Sequence, residues 1–118
     1  MSNDSVTQVQ PHEQALLLVV QKRSLDDDSA RELMEEVLTA AAARPDVPIV
    51  LDLGRVRFAP SVVLGSLVQL SRNLRLDRRR LALIGLEGRV RDTFRVTRLD
   101  QLLEIHGSLA QVLSSGRG

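Results

Sequence analysis

Few residues in this chain have both the type and the spacing for chemistry, and each has a plainer reading beside it. Ser61 follows Pro60 at the predicted start of a helix, after a strand and a short loop. Its hydroxyl would sit among backbone N–H groups that have no intrahelical partner, at the positive end of the helix dipole. A phosphate added there would be met by those donors and would place a charge of about −2 on an apolar helix tip. The plainer reading is a serine that only caps. Asp26, Asp27 and Asp28 offer clustered carboxylates, which suit a divalent cation. Successive residues at a helix start point in different directions, however, so N-capping and dipole complementation is the favoured reading. Asp52 sits in an apolar strand. It is either a functional carboxylate or, as we favour, an acceptor for loop amides at the strand end. His12 and His106 lie far apart, without a partner at ligand spacing. Arg78, Arg79 and Arg80, with Arg72, Arg75 and the arginines from Arg89 to Arg98, could contact phosphates. No recognition motif or aromatic residue accompanies them, so direct DNA binding is not expected.

Composition removes other chemistries. The chain has no Cys, Trp or Tyr, and its aromatic residues are Phe58 and Phe94. A disulfide framework, a thiolate metal site and a cysteine nucleophile are thereby excluded. So is an aromatic platform for single-stranded nucleic acid. No Walker loop, dinucleotide fingerprint or nucleophile elbow is present, and the GLEG at 85–88 is too short to cradle a nucleotide. Neither an enzyme nor a cofactor or metal is expected.

These residues must be positioned by an α/β framework. Val6 to Gln10 is weakly strand-like, and Ala15 to Val20 reads as a buried aliphatic strand. Ala30, Leu33, Met34, Val37, Leu38 and Ala41 recur with helical spacing after an N-cap-rich start, and Arg44-Pro45-Asp46 ends that helix. Ile49 to Leu53 is the next buried strand. Pro60 fits a first helical position, and Val63, Leu64, Leu67, Leu70, Ser71 and Leu74 carry that helix to about Leu76. A strand at Leu81 to Gly85, a short helix at Glu87 to Val96, a strand at Leu102 to Ile105 and a helix at Ser108 to Leu113 follow. Ser108 and Gln111 have capping-box spacing. Helices alternating with buried strands imply an α/β sheet. Residues 1–5 and 114–118 are expected to fray, leaving 6–113 as one domain. Met1 to Gln14 is polar and no apolar run is long enough to span a bilayer, so a cytoplasmic protein without membrane insertion is expected.

The net charge of +1 hides an asymmetry. Residues 1–51 carry nine acids against four bases, giving −5, whereas 52–98 carry four acids against eleven arginines, giving +7; the remainder is −1. Such a segmental dipole can steer a charged partner, or it can be no more than solvated surface.

From Ile49 to Leu113 the chain resembles the STAS domain family, the fold of bacterial anti-sigma-factor antagonists. IVLDLGRVRF (49–58) resembles the central strand and following loop, and APSVVLGSLVQLSRNL (59–74) resembles the phosphorylation-site helix. LALIGLEGRVRDTFRVTRLDQLLEIHGSLAQVL (81–113) resembles the family's ending, and SLDDDSARELMEEVL fits its first half. The resemblance implies a single domain with a mixed sheet of about five strands and about four helices. It places Ser61 on the phosphoacceptor, Asp52 on the strand aspartate, Leu64 on the motif leucine and Gly65 on the small residue after it. Where the family has an acid before the acceptor, this chain has Pro60. Val62 stands for the second hydroxyl residue, Val63 for the motif glycine, and Arg98 for the glycine before a leucine-aspartate turn. The acceptor atom is kept while its usual surroundings are not.

The implied function is non-enzymatic. The face around the second helix would dock an anti-sigma factor that is also a serine kinase, and phosphorylation of Ser61 would reverse the docking. Pro60, Val62, Val63 and Leu64 would shape the contact face, with Arg55, Arg57 and the arginines up to Arg80 steering the partner. The alternative is a degenerate STAS domain acting as a constitutive structural subunit, bound to other STAS proteins or to a transporter ATPase.

Overall fold

The computed structural model describes residues 5–115. The chain runs β1 (Thr7–Gln10), β2 (Leu16–Val20), α1 (Asp27–Ala43), β3 (Ile49–Asp52), α2 (Ser61–Leu76), β4 (Leu81–Ile84), α3 (Gly88–Val96), β5 (Glu104–His106) and α4 (Leu109–Ser114). The sheet order is β1-β2-β3-β4-β5. β1 lies antiparallel to β2, and every later pair is parallel.

That order explains the layering. Three successive parallel crossovers step in one direction across the sheet, and the right-handedness of such crossovers puts α1, α2 and α3 on one face. Leu16, Leu18, Ile49, Leu51, Leu81 and Leu83 point to that face and join the apolar sides of the three helices in the main core. The alternate residues Val50, Ala82 and Ile84 point to the other face, where Val112 of α4 meets them with Leu109 and Leu113 packed alongside. Strands buried on both faces read as continuous aliphatic runs, which is what the sequence shows.

The termini of the elements follow from local chemistry. Asp26 is the N-cap of α1: its Oδ1 accepts from the Ser29 N–H at 2.8 Å and from the Ser29 hydroxyl at 2.9 Å. Ser108 caps α4, accepting from the Gln111 N–H, and the Gln111 amide oxygen accepts from the Gly107 N–H at 2.7 Å. Ser114 is the last residue of α4, and the Ser115 hydroxyl donates to the Val112 carbonyl at 3.2 Å. The helix therefore runs one residue past Leu113. Residues 1–4 and 116–118, where fraying was expected, lie outside the described residues.

Two boundaries differ from expectation. Pro60 is the N-cap of α2, with extended backbone (φ −63°, ψ 152°), and Ser61 is the first helical residue. The last strand is Glu104–His106, two residues later than expected at its start. Leu102 is half exposed, after a 3-10 turn at Leu99–Gln101, while Leu103 enters the core. Arg98, which precedes that turn, has left-handed backbone at φ 63°.

Candidate functional site

The tip of α2 is assembled from three segments. β3 ends at Asp52, whose Oδ1 accepts from the Gly54 N–H at 2.8 Å and turns the chain out of the sheet. Gly85, at the end of β4, packs against this turn with φ +80°; a Cβ there would lie 2.7 Å from Asp52 Oδ1. Asp52 is thus the loop-amide acceptor. The loop then runs beside the segment after β2 and is stitched to it. The Arg57 and Phe58 N–H groups donate to the Arg23 carbonyl at 2.7 and 3.1 Å, and the Leu25 N–H donates to the Phe58 carbonyl at 3.0 Å. These bonds fix the direction from which the chain enters α2.

At the start of α2 the Val63 and Leu64 N–H groups donate to the Pro60 carbonyl at 2.9 and 3.0 Å, and no side chain caps the helix. Ser61 is exposed, and Val62 beside it is 74% exposed. Val63 and Leu64 are not on this surface: both are buried in the main core. Their helical positions turn them into that core, so they hold the tip from beneath rather than shape a contact face. Of the residues expected to meet a partner, Pro60, Val62, Arg55 and Arg57 are the exposed ones. Gly65 is half-buried, and a Cβ built on it would meet nothing within 4 Å.

The arginine-rich stretch divides into structural and free groups. Arg79 sends Nη1 to the Ala41 carbonyl at 2.7 Å, and Nη2 to the carbonyls of Arg44 and Val47 at 2.7 and 3.0 Å. It supplies positive charge to the end of α1, whose own last turn has no basic residue. Arg44 in turn donates to the carbonyls of His12, Glu13 and Ala15, fastening the β1–β2 turn. Arg80 is engaged by Glu104. The Glu104 carboxyl is held below the usual range first by the Arg80 hydrogen bond and, against the opposing effect of burial, also by His106. Arg72, Arg75, Arg91 and Arg95 stay exposed. Sequence reading missed the structural roles because they depend on carbonyls more than 30 residues away.

His12 and His106 are not brought together. They belong to opposite ends of the strand order, where His12 accepts from the Gln14 N–H and His106 lies 2.8 Å from Glu104. Among the described residues no group of three potential metal ligands occurs, and the Asp26–Asp28 run is accounted for by the α1 cap and the Asp28–Arg31 pair. An open groove of about 930 Å³ runs along α3 and β5, with Arg91, Arg95, Glu104 and His106 among its lining. Sequence reading did not find it.

A family model described as Mlab, STAS domain matches residues 8–104. The chain belongs to the STAS domain family. This STAS domain is similar to an anti-sigma factor antagonist from Mycobacterium paratuberculosis, with a TM-score of 0.74 at 21% identity and full coverage of both chains. It is also similar to the anti-sigma factor antagonist SpoIIAA in its unphosphorylated form, with a TM-score of 0.70 at 18% identity, covering 95% of this chain and 98% of that one. The fold recurs within the murine anion transporter Slc26a9, with a TM-score of 0.72 at 11% identity; the match covers 90% of this chain and 18% of the transporter. At these identities the structural likenesses carry the fold alone. No curated protein sequence matches significantly. Among the described residues, no helix of this STAS domain is long and apolar enough to cross a membrane.

Proposed function

We propose that this STAS domain is a cytoplasmic, non-enzymatic regulator of the anti-sigma-factor-antagonist type. Its α2 tip docks an anti-sigma factor that is also a serine kinase, and phosphorylation of Ser61 ends the complex. The observation that carries this reading is the pairing of an exposed hydroxyl with a 74% exposed valine at a helix start that has no side-chain cap. An exposed valine beside Pro60 gives a partner an apolar contact. A phosphate one residue away would force desolvation of a double charge within it, which costs several kcal/mol unless it is paired. The same phosphate suits the helix itself, because the first-turn N–H groups and the dipole favour negative charge. The switch would therefore act on the contact surface and leave the fold intact.

Incubation with ATP and an anti-sigma-factor serine kinase tests this. Addition of one phosphate to the wild type, lost in Ser61→Ala, is the expected result. Absence of the modification, or its persistence in Ser61→Ala, refutes the switch.

A second reading is favoured by Pro60 and Val62. Pro60 offers no carboxylate to orient the acceptor hydroxyl, and an apolar tip suits permanent burial. On this reading the domain is a constitutive subunit held by another STAS protein or a transporter ATPase. Co-purification with such a partner at full occupancy, with Ser61 unmodified, distinguishes it from the switch.

A further inference from the structure

Phe58 is an anomaly of this fold. The chain has two phenylalanines; Phe94 is buried, whereas Phe58 is 53% exposed. Its backbone cannot swing the ring inward, because its N–H and carbonyl are both tied to the segment after β2 and it bridges Ser24. The ring is held out, and the Arg89 guanidinium lies 5.6 Å from its centroid. Arg23, Arg57, Glu87, Gly88 and Arg89 enclose with the ring an open cavity of about 380 Å³. Three guanidinium groups thus face one carboxylate. That carboxylate, Glu87, is 4.0 Å from Arg57 and both side chains are more than half exposed, so the pair neutralises little. Among the described residues neither Arg23 nor Arg89 has a carboxylate within 4.0 Å. A fixed aromatic ring with a surplus of arginine beside it has the composition of a binding hot spot.

We infer that this cavity docks an acidic segment of a protein partner, a carboxylate side chain entering between Arg57 and Arg89 and an adjacent apolar side chain packing on Phe58. The inference rests on the docking reading above and gives the partner a chemistry. The planar fork of an arginine receives a carboxylate through two parallel hydrogen bonds, and the ring and the arginine stems supply apolar wall. The cavity is near the lower limit for small-molecule sites, about 300 Å³, which suits one or two side chains better than a nucleotide. Nucleic acid is disfavoured by chemistry as well, since Phe58 has no second exposed aromatic to share base stacking and Arg79 and Arg80 are engaged elsewhere.

A random dodecapeptide library displayed on phage, selected against the full chain at low salt, tests the inference. The selected peptides are expected to carry an excess of Asp and Glu next to a Leu, Ile or Phe. A fluorescent synthetic copy of the dominant peptide should bind about tenfold more weakly to Arg57→Gln, to Arg89→Gln and to Phe58→Ser, and to change less than about twofold on Arg91→Gln. Melting curves of each variant confirm the fold. Selection without acidic bias overturns the inference, as does equal loss on Arg91→Gln and Arg89→Gln. Displacement of the peptide by inorganic phosphate or ATP at comparable concentration also overturns it, assigning the cavity to a free anion. Undiminished binding of an anti-sigma-factor serine kinase by Val62→Asp, with loss on Arg89→Gln, would uphold the cavity while counting against the α2 tip as the docking centre, so the two readings fail separately.

Discussion

Replacement of Arg79 by alanine is expected to destabilise this domain by about 2–3 kcal/mol. The guanidinium makes three hydrogen bonds to backbone carbonyls, those of Ala41, Arg44 and Val47. A hydrogen bond from a charged donor contributes roughly 1.5–3 kcal/mol, and a neutral one roughly 0.5–1.5. The three bonds are part-buried, so about 1 kcal/mol per bond, below the full charged-donor figure, is appropriate. Arg44 relays the effect to the β1–β2 turn through its own three bonds, and losing its anchored carbonyl loosens that relay. For a domain of this length the loss corresponds to a fall in Tm of roughly 10 °C. Urea unfolding followed by circular dichroism reads it directly, with Arg72→Ala as the exposed comparison, expected within about 0.5 kcal/mol of the wild type. Arg79→Lys should recover only part of the loss, because an ammonium lacks the fork that spans the carbonyls. A cost below about 0.5 kcal/mol for Arg79→Ala, or equal costs for Arg79→Ala and Arg72→Ala, would refute the structural role.

Arg98→Gly should stabilise the protein by about 0.5–1 kcal/mol: the left-handed backbone at φ 63° costs a non-glycine residue roughly 1–2 kcal/mol, and the greater freedom of glycine in the unfolded chain returns part of it; differential scanning calorimetry should show Tm rising by a few degrees. Glu104 is held below its ordinary range by Arg80, so the stability it contributes is present above the unfolded carboxyl value, about 4.3, and is lost as pH falls through the lower folded value. Urea midpoints measured between about pH 3 and pH 5 should accordingly fall less steeply in Glu104→Gln than in the wild type; parallel curves would remove this role. Gly85→Ala should cost about 1–3 kcal/mol through its left-handed backbone and its approach to Asp52, again read as a shift in urea midpoint.

Most of the framework was legible because it is written in local periodicity. The aliphatic runs at 49–53 and 81–85 hold strands buried on both faces, the run at 15–20 holds one buried on one face and half-buried on the other, and the spacing from Ala30 to Ala41 and from Val63 to Leu74 marks two helices with buried stripes. The last strand was misplaced because Leu102 and Leu103 extend the apolar run. Only a turn after Arg98, without the glycine that would signal it, puts Leu102 into solvent. The candidate site was legible in part. Ser61 and Val62 follow from helix phase, yet the same phase sends Val63 and Leu64 into the core, and the resemblance alone did not reveal this. The Arg23, Phe58 and Arg89 cluster draws on two loops and the first turn of α3, each more than 30 residues from the next in sequence, and no short pattern encodes it. The arginine run at 78–80 looked uniform, while the fold gives Arg79 and Arg80 different partners and puts Arg78, in the turn after α2, at φ 60°.

On the proposed function, a charge at Ser61 breaks docking without disturbing the fold. Calorimetric titration of an anti-sigma-factor serine kinase with the wild type and with Ser61→Asp, alongside a melting curve for each, measures both halves. Ser61→Asp is expected to melt at the same temperature or slightly higher, since an acid at a helix N-terminus contributes about 0.3–1 kcal/mol. The kinase is expected to bind this variant at least about 30-fold more weakly, the effect of an unpaired charge in a desolvated contact. Equal affinity for the two proteins, or no binding of the wild type by such kinases, would contradict it.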